Sequence, residues 1–599
     1  MNAATRGHRR VTGPALLLLI AGLLLAQLPR GLGAAPASWM PLSEVRPGMR
    51  GRALTVVRGT TVEPFDIEVL SIVPGSGPAG DLILVRASGP LIQRSGGIAA
   101  GMSGSPVFIG GRLVGAIGFG WAFSDHSIGL VTPIADMLRA LPGRRAGDRV
   151  IPPIAHRPLP RPVDVDGHIL THVALAPTRE AAARREAEAP RTAVMVPLAR
   201  PLLLSGAGPR ARQVLQHQFD AMGLVLVEGA TGSSTEDRPA LVPGSAIGVQ
   251  VMRGDLNAVA IGTLTYRQGD LILGFGHPFL NRGPAAFLLT PAVIHGVVRS
   301  AAFPFKIGSA GGPVGIITED RRAAIGGRVG VLPPLVAVRA SVTDRDRGRT
   351  AIMGIRVASD RQLGPALALA SAVEATDRAL DRIGEGTARV RLTLRGRGLD
   401  RPLVRENVFY HSRDIGSAAL LELPEALRLL FANEFVPVGP VDVQIEAEVE
   451  ASRQTAVITE ATLHTRRVRR GDVLVVKIAL RPFQGASTTR SIELAVPEAF
   501  PLGAATVLVR AGGRAMPEQG LAALLASEPV EAPAASAAAQ LASFADRDRN
   551  TDLVVELIPG AARIPDGTGD SPVQTVRTRA ATSWVVRGRV QLPVAVDSQ

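Results

Sequence analysis

The chain has 599 residues, enough for about four domains, and its 46% hydrophobic and 20% charged residues exclude a wholly disordered protein. Cysteine is absent, which excludes disulfides, thiolate metal sites and a cysteine nucleophile. The net charge is +14, and of the 66 basic residues only Lys306 and Lys477 are lysines. The arginines are interleaved with acidic residues and form no basic stripe with aromatic side chains, so no nucleic-acid partner is predicted.

The first 37 residues have the organisation of a secretory signal peptide. Three arginines precede an apolar run at residues 15–26, and Ala35-Pro36-Ala37 has the small-x-small form of a signal-peptidase site. The run is short for a membrane-spanning helix, which needs about 20 apolar residues. We expect export to the periplasm, the cell envelope or the medium, with a mature chain that begins near Ser38. An uncleaved membrane anchor is the alternative.

Beyond this segment, short β-branched runs broken by Gly and Pro predict a mainly β protein. Two β-rich units of similar texture are expected, and the second is followed by an amphipathic helix. Alternating runs with regularly spaced turns further along the chain predict a β-sandwich. The predicted units are a first β-rich unit at 38–150, a connector with a helical segment at 151–246, a second β-rich unit with its helix at 247–400, the β-sandwich at 401–500 and a C-terminal region at 501–599.

The sharpest local signal is Gly96-Gly97-Ile98-Ala99-Ala100-Gly101-Met102-Ser103-Gly104-Ser105-Pro106. A serine becomes a nucleophile when a turn holds it near a base and backbone N–H groups point at the developing oxyanion. Gly101-x-Ser103-Gly104 supplies such a turn, and the N–H groups of Gly101 and Ser103 are the candidate oxyanion donors. A glycine-rich structural turn is the alternative from these residues alone.

Gly101-Met102-Ser103-Gly104-Ser105-Pro106 resembles the Gly-Asp-Ser-Gly-Gly-Pro motif of trypsin-like serine peptidases, and with its surroundings it resembles the SpoIVB-type peptidases of sporulation. The likeness includes Phe65-Asp66-Ile67-Glu68 upstream and Leu113-Val114-Gly115-Ala116 downstream. In that family this serine is the nucleophile. The resemblance therefore implies that Ser103 is the nucleophile of a trypsin-like double β-barrel.

A second segment, Gly274-Phe275-Gly276-His277-Pro278, follows the run Ile261-Gly262-Thr263 and is similar to the family's Gly-Ile-Gly-Thr strand and Gly-His element. The histidine of that element is the family's general base, which implies His277. An imidazole takes the serine proton at neutral pH and returns it to the leaving amine. His126, next to Asp125 and close to Ser103 in sequence, is the alternative base.

The chain departs from the family pattern in two ways. Ser103 precedes His277, whereas the histidine segment comes first in the sporulation peptidases, so the two barrel halves are predicted to be in reversed order. Where the family's aspartate is expected, the chain has Ser88, which cannot supply a negative charge. The possible substitute carboxylates are Asp66, Asp81 and Asp125.

These features predict an exported serine endopeptidase that acts on envelope or secreted proteins through an acyl-enzyme, without a metal or cofactor. Its expected partners are a protein or peptide substrate and an envelope component bound by the β-sandwich. A membrane is involved only if the signal segment stays uncleaved. The alternative is a catalytically degenerate scaffold or binding protein of the cell envelope, which Ser88 in the acid position favours.

Overall fold

A computed structural model describes the chain between Ser38 and Ser598. The predicted signal peptide lies outside the described residues. Within the described part, no helix is long and apolar enough to cross a membrane. The segments outside the description are 1–37, 76–79, 122–124, 144–156, 177, 190, 199–200, 221, 230–238, 301–302, 398, 400, 434, 436–438, 514–535, 561–574 and 599.

The first barrel is a closed ring of six antiparallel strands. Its strands alternate buried and more exposed residues. In the second strand Phe65, Ile67 and Val69 face the core, while the residues between them are more exposed. The ring closes because the fourth strand pairs with both the first and the fifth. Its strands are β1 (Arg50–Thr55), β2 (Glu63–Val73), β3 (Leu82–Ser88), β4 (Pro106–Ile109), β5 (Arg112–Trp121) and β6 (Ile128–Pro133), with α1 (Pro90–Ser95) and α2 (Ile134–Met137) beside them and single 3-10 turns at Leu42–Glu44 and Leu138–Ala140.

A three-stranded extension continues the first sheet beyond β5. It contains β7 (Arg157–Val165), β8 (His168–Leu175), α3 (Arg179–Glu188) and β9 (Thr192–Pro197). β9 is parallel to β8 and antiparallel to the end of β5. The extension therefore attaches to the barrel at β5, the second strand after the Ser103 turn.

The second barrel repeats the path of the first. In each ring the first strand pairs with the second, and the second with the third. The third then pairs with the sixth, the sixth with the fifth, the fifth with the fourth, and the fourth with the first. The edge elements before it are β10 (Pro201–Ser205), α4 (Pro209–Asp220) and β11 (Val225–Glu228). The ring strands are β12 (Ala246–Gly254), β13 (Asn257–Gln268), β14 (Leu271–Gly274), β15 (Gly283–Val298), β17 (Gly315–Arg321) and β18 (Ala324–Val329), and β16 (Phe305–Ala310) pairs with β15 outside the ring.

From β12 the second sheet continues into a helix-covered platform. Most residues of its long helix are buried, because this alanine- and leucine-rich segment is covered by strands on one side and by other helices on the other. The platform consists of β19 (Leu335–Asp344), β20 (Arg349–Ala358), α5 (Leu363–Leu380), β21 (Gly386–Arg397), β22 (Leu403–His411), α6 (Ile415–Ala418), α7 (Leu423–Phe431) and β23 (Gly439–Glu450).

The C-terminal unit is a β-sandwich of a four-stranded and a five-stranded sheet. Its core is a separate cluster that includes Leu474, Val507 and Leu557. The strands are β24 (Thr455–Leu463), β25 (Arg467–Arg469), β26 (Val473–Pro482), β27 (Thr488–Ala495), β28 (Gly503–Ala511), β29 (Asp552–Pro559), β30 (Val576–Ala581), β31 (Val585–Arg587) and β32 (Arg589–Asp597), with α8 (Ala537–Asp546) before β29.

This architecture confirms the predicted fold class, a mainly β chain with two closed six-stranded barrels and a C-terminal sandwich. The sandwich occupies different residues from those predicted. The described residues between 401 and 450 belong to the platform, because β22 and β23 both pair with β21. The sandwich strands begin at Thr455 and continue into the predicted C-terminal region, where β28 to β32 lie.

Candidate active site

Ser103 lies in a tight turn between α1 and β4, at the junction of the two barrels. The turn needs glycine on both sides, since Gly101 and Gly104 have φ values of 91° and 90°. Ser105 stabilises it: its Oγ and its N–H both donate to the carbonyl oxygen of Met102, at 2.6 and 2.9 Å. Ser105 therefore has a structural role.

The second barrel holds this turn through threonines of β13. The N–H of Thr263 donates to the Ser103 carbonyl at 2.8 Å, and its Oγ1 donates to the Gly101 carbonyl at 3.0 Å. Thr265 Oγ1 donates to the Gly104 carbonyl at 2.8 Å. Three main-chain carbonyls of the serine turn thus depend on one strand of the other barrel.

His277 follows β14 and is anchored in turn by the first barrel. Thr132 Oγ1 donates to the carbonyl of Gly276, the preceding residue, at 2.6 Å. The imidazole ring lies between Phe119 and Phe275, with centroid distances of 6.3 and 5.8 Å.

The hydrogen bonding of His277 fixes its neutral tautomer. Nδ1 lies 2.7 Å from the carbonyl oxygen of Pro278. A carbonyl oxygen can only accept, so Nδ1 carries the hydrogen and Nε2 holds the lone pair. Nε2 is therefore the atom that can accept a proton, the arrangement that a general base requires.

The barrels bring the backbones around Ser103 and His277 into contact. A Cβ added at Gly104 would overlap the carbonyl oxygen of Thr263 and the main-chain nitrogen of Phe275. A Cβ added at Gly118 would overlap the carbonyl oxygen of Gly276. The two segments, although 174 positions apart in sequence, meet at one place in the fold.

The N–H groups of Gly101 and Ser103 differ from that of Met102 in their hydrogen bonding. The Met102 N–H donates to the Ala99 carbonyl at 2.9 Å. Among the described residues, no backbone hydrogen bond uses the N–H of Gly101 or Ser103. These two donors remain available to a developing oxyanion.

Both candidate catalytic side chains are nearly inaccessible to solvent. Ser103 is 3% exposed and His277 is 0% exposed. A substrate therefore needs part of the surrounding chain to move before it can reach them.

The carboxylates suggested by the sequence do not bind His277. Asp66 lies on β2, opposite Ser88 of β3. Asp81 accepts the Gly75 N–H at 2.9 Å, and Asp125 accepts the Ser127 N–H at 2.8 Å. Within the described part of the chain, no hydrogen bond joins these three carboxylates to His277.

The alternative base, His126, lies between β5 and β6, against the glycine loop that leads to Ser103. A Cβ at Gly97 would overlap His126 Cβ, and its ring makes an edge contact with Phe303 at 5.5 Å. With Ser88 and Asp125 it lines a surface pocket of about 430 Å³.

Sequence reasoning missed Asp320, a buried carboxylate that holds the segment after His277. Asp320 is 0% exposed, on β17, and accepts three main-chain N–H groups. Those of Phe279 and Leu280 are both at 2.7 Å, and that of Arg282 is at 3.2 Å. The only sequence signal was an acidic residue within the predicted unit 247–400, which does not reveal a partner about 40 positions away.

Lys306 is a second buried polar group beside the serine turn. Its stem packs against Gly101, where an added Cβ would lie 3.0 Å from Lys306 Cδ. Its Nζ donates to Thr55 Oγ1 at 2.8 Å, and the hydroxyls of Thr55 and Thr263 are 3.5 Å apart. Burial lowers the pKa of Lys306 to about 7.

Comparison with known proteins identifies one family. Residues 36–138 match the SpoIVB peptidase S55 family. No curated protein and no solved structure matches the chain. The matched region contains the first barrel and Ser103 but not His277, and it supports a serine peptidase of the SpoIVB type.

Proposed function

We propose that the chain is an exported serine endopeptidase with Ser103 as nucleophile and His277 as general base. Ser103 Oγ attacks the substrate carbonyl carbon while His277 Nε2 takes the hydroxyl proton. The N–H groups of Gly101 and Ser103 bind the oxyanion. The imidazolium then protonates the leaving amine, and water, activated by the same imidazole, hydrolyses the acyl-enzyme.

The contact between the serine turn and the histidine segment carries this proposal. Separate barrels supply the two segments, and each is held by hydrogen bonds from the other barrel. The tautomer of His277 places a lone pair on Nε2, and the oxyanion donors are unoccupied by backbone acceptors in the described residues. Structural turns alone do not require this combination.

In this proposal two groups, the Pro278 carbonyl and Asp320, share the role that an orienting acid has in other serine peptidases. The Pro278 carbonyl fixes the tautomer of His277, but it lacks the charge that stabilises an imidazolium. Asp320 is a positioning residue that acts through the loop after His277, and it supplies a buried negative charge on that side. We therefore expect slower turnover than in a peptidase with a directly bound carboxylate.

The signal-like N-terminus supports export, with a mature chain from about Ser38 and envelope or secreted proteins as substrates. An envelope partner on the β-sandwich is part of the same proposal.

The experiment is labelling of the mature protein with a serine-directed phosphonate, followed by peptide mapping. We expect one adduct, on Ser103. Ser103→Ala should abolish labelling, and His277→Ala should slow it by about 10³-fold or more. Asp320→Asn should slow it less and shift its pH profile, because the charge beside the histidine segment is lost.

The chain contains a matched control pair. His295 Nε2 and Ser309 Oγ are hydrogen-bonded to each other on the exposed face of the second barrel. His295→Ala and Ser309→Ala should leave labelling unchanged. An adduct on any other serine, or full labelling of His277→Ala, would contradict the assignment.

The second candidate function is a binding scaffold without catalysis. The burial of Ser103 and His277 favours it. A folded protein that stays inert to phosphonates and to varied protein substrates would support the scaffold instead of the peptidase.

A further inference from the structure

A segment of the chain itself lies along β5 beside the proposed active site. β9 pairs antiparallel with the end of β5, so that residues 195–197 lie opposite residues 119–121 in reverse order. The N–H of Leu198 continues this ladder by donating to the carbonyl of Gly118 at 3.0 Å. Residues 195–198 are thus an extended peptide added to the edge of β5.

This extended peptide ends next to the candidate catalytic pair. Gly118, the acceptor for Leu198, lies against the residue that precedes His277. The ring of Phe119, the next residue on β5, is 6.3 Å from the imidazole. The carbonyl before Gly118 accepts the N–H of the residue that follows Ser103, at 2.8 Å.

The side chain of Leu198 fills an apolar pocket at this position. It is 0% exposed and belongs to the same core cluster as Ile98, Met102 and Phe303. Ile98 and Met102 are on the loop that leads to the candidate nucleophile. Gly120 leaves the necessary space, because a Cβ there would lie 3.1 Å from Leu198 Cδ2 and 3.0 Å from the Phe303 ring.

We propose that residues 195–198 are an internal pseudosubstrate, with Leu198 in the position that a substrate residue takes immediately before the cleaved bond. This inference rests on the proposed function and adds a substrate class to it. Substrates are extended peptides with a leucine-sized apolar residue at that position, because the side chains that cluster with Leu198 are apolar.

The pseudosubstrate also explains why the candidate catalytic residues are inaccessible. A strand edge pairs with one partner at a time, so an incoming peptide must displace β9 from β5. The free enzyme is then latent, and its apparent reactivity is reduced by the fraction of molecules in which β9 is bound.

The substrate class is tested with two phosphonate probes on the mature chain, Met-Val-Pro-Leu and Met-Val-Pro-Asp diphenyl phosphonate. The first copies residues 195–198. We expect it to label Ser103 at least about 100-fold faster than the second, because the apolar pocket rejects a charge. Equal rates would overturn the assignment of the Leu198 pocket.

The latency is tested with Leu198→Gly, which weakens the binding of residues 195–198 to β5, and a small phosphonate without a peptide. We expect labelling to be about tenfold faster than in the unmodified chain. Ile169→Gly is the matched control, because Ile169 is 54% exposed on β8 of the same extension, and its rate should stay within about twofold.

The outcomes separate this inference from the proposed function. Labelling of Ser103 that is insensitive both to the probe sequence and to Leu198→Gly would overturn the pseudosubstrate while leaving the peptidase in place. Absence of labelling in every variant and with every probe would overturn both. If Leu198→Gly fails to fold, the comparison of the two peptide probes on the unmodified chain decides.

Discussion

At the scale of single residues, Lys306 is notable because it is one of only two lysines and is fully buried. Its ammonium bonds to Thr55, in the threonine network that holds the carbonyl of Gly101. Burial lowers its pKa from the usual 10.5 to about 7. A change in the protonation of Lys306 therefore acts on the hydrogen bonds that hold the serine turn.

This pKa predicts a pH dependence of stability. Between pH 7 and about 10.5 the unfolded chain holds the lysine proton and the folded chain does not, so the free energy of unfolding rises with pH in this window and the gain is lost as pH falls through 7. From pH 7 to pH 10 this contribution is roughly 3 kcal/mol, since one pKa unit corresponds to about 1.4 kcal/mol. Lys306→Met should remove it in urea unfolding measured at both pH values.

The other lysine is the control for this prediction. Lys477 is exposed on β26 of the sandwich, and Lys477→Met should leave the pH dependence unchanged. If Lys306→Met and the unmodified chain showed the same dependence between pH 7 and pH 10, the buried lysine would not be titrating in this range.

At the scale of elements, the serine turn and β13 are so close that only glycine fits between them. An alanine at position 104 would place its Cβ on the Thr263 carbonyl, in addition to the cost of its φ of 90°. We expect Gly104→Ala to lower the free energy of unfolding by at least about 3 kcal/mol and to abolish labelling of Ser103. Chemical denaturation and phosphonate labelling measure the two effects.

Gly110→Ala is the control that separates the cost of a positive φ from the cost of the close approach to Thr263. Gly110 also has a positive φ, 57°, but an added Cβ would meet nothing within 4 Å. Gly110→Ala should therefore cost only about 1–2 kcal/mol and leave labelling intact. Equal losses in the two variants would mean that close approach to Thr263 is unimportant.

The secondary-structure elements also show which features could be predicted from the sequence. The strands and the Ser103 turn were predictable because alternation and paired glycines are local signals. The start of the sandwich was not, because β23 joins the platform by pairing with β19, about 100 positions earlier. Asp320 was missed for the same reason, since its partners near Phe279 are about 40 positions away. The covering of β5 by β9 likewise depends on a non-local pairing.

At the scale of the whole molecule, a buried arginine joins the sandwich to the platform. The side chain of Arg405, on β22, is 1% exposed and binds both carboxylate oxygens of Glu422, at 2.8 and 3.0 Å. It also donates to the carbonyls of Ala545, Arg547 and Asp548, which connect α8 to β29. Five acceptor atoms in two units therefore depend on one guanidinium group.

We expect Arg405→Ala to uncouple the sandwich from the barrels. The variant leaves Glu422 and these carbonyls without their donor, and removing one partner of a buried pair costs about 3–5 kcal/mol. Calorimetry should show a separate transition of the sandwich at a lower temperature, while Ser103 is labelled at its normal rate below that temperature. Arg391→Ala is the control, because it breaks an exposed pair with Glu406 between β21 and β22, which is worth less than about 1 kcal/mol. A single transition shared by Arg405→Ala and the control would show instead that the apolar contacts of α8 with the platform, made by Leu541 and Phe544, are sufficient to join the two units.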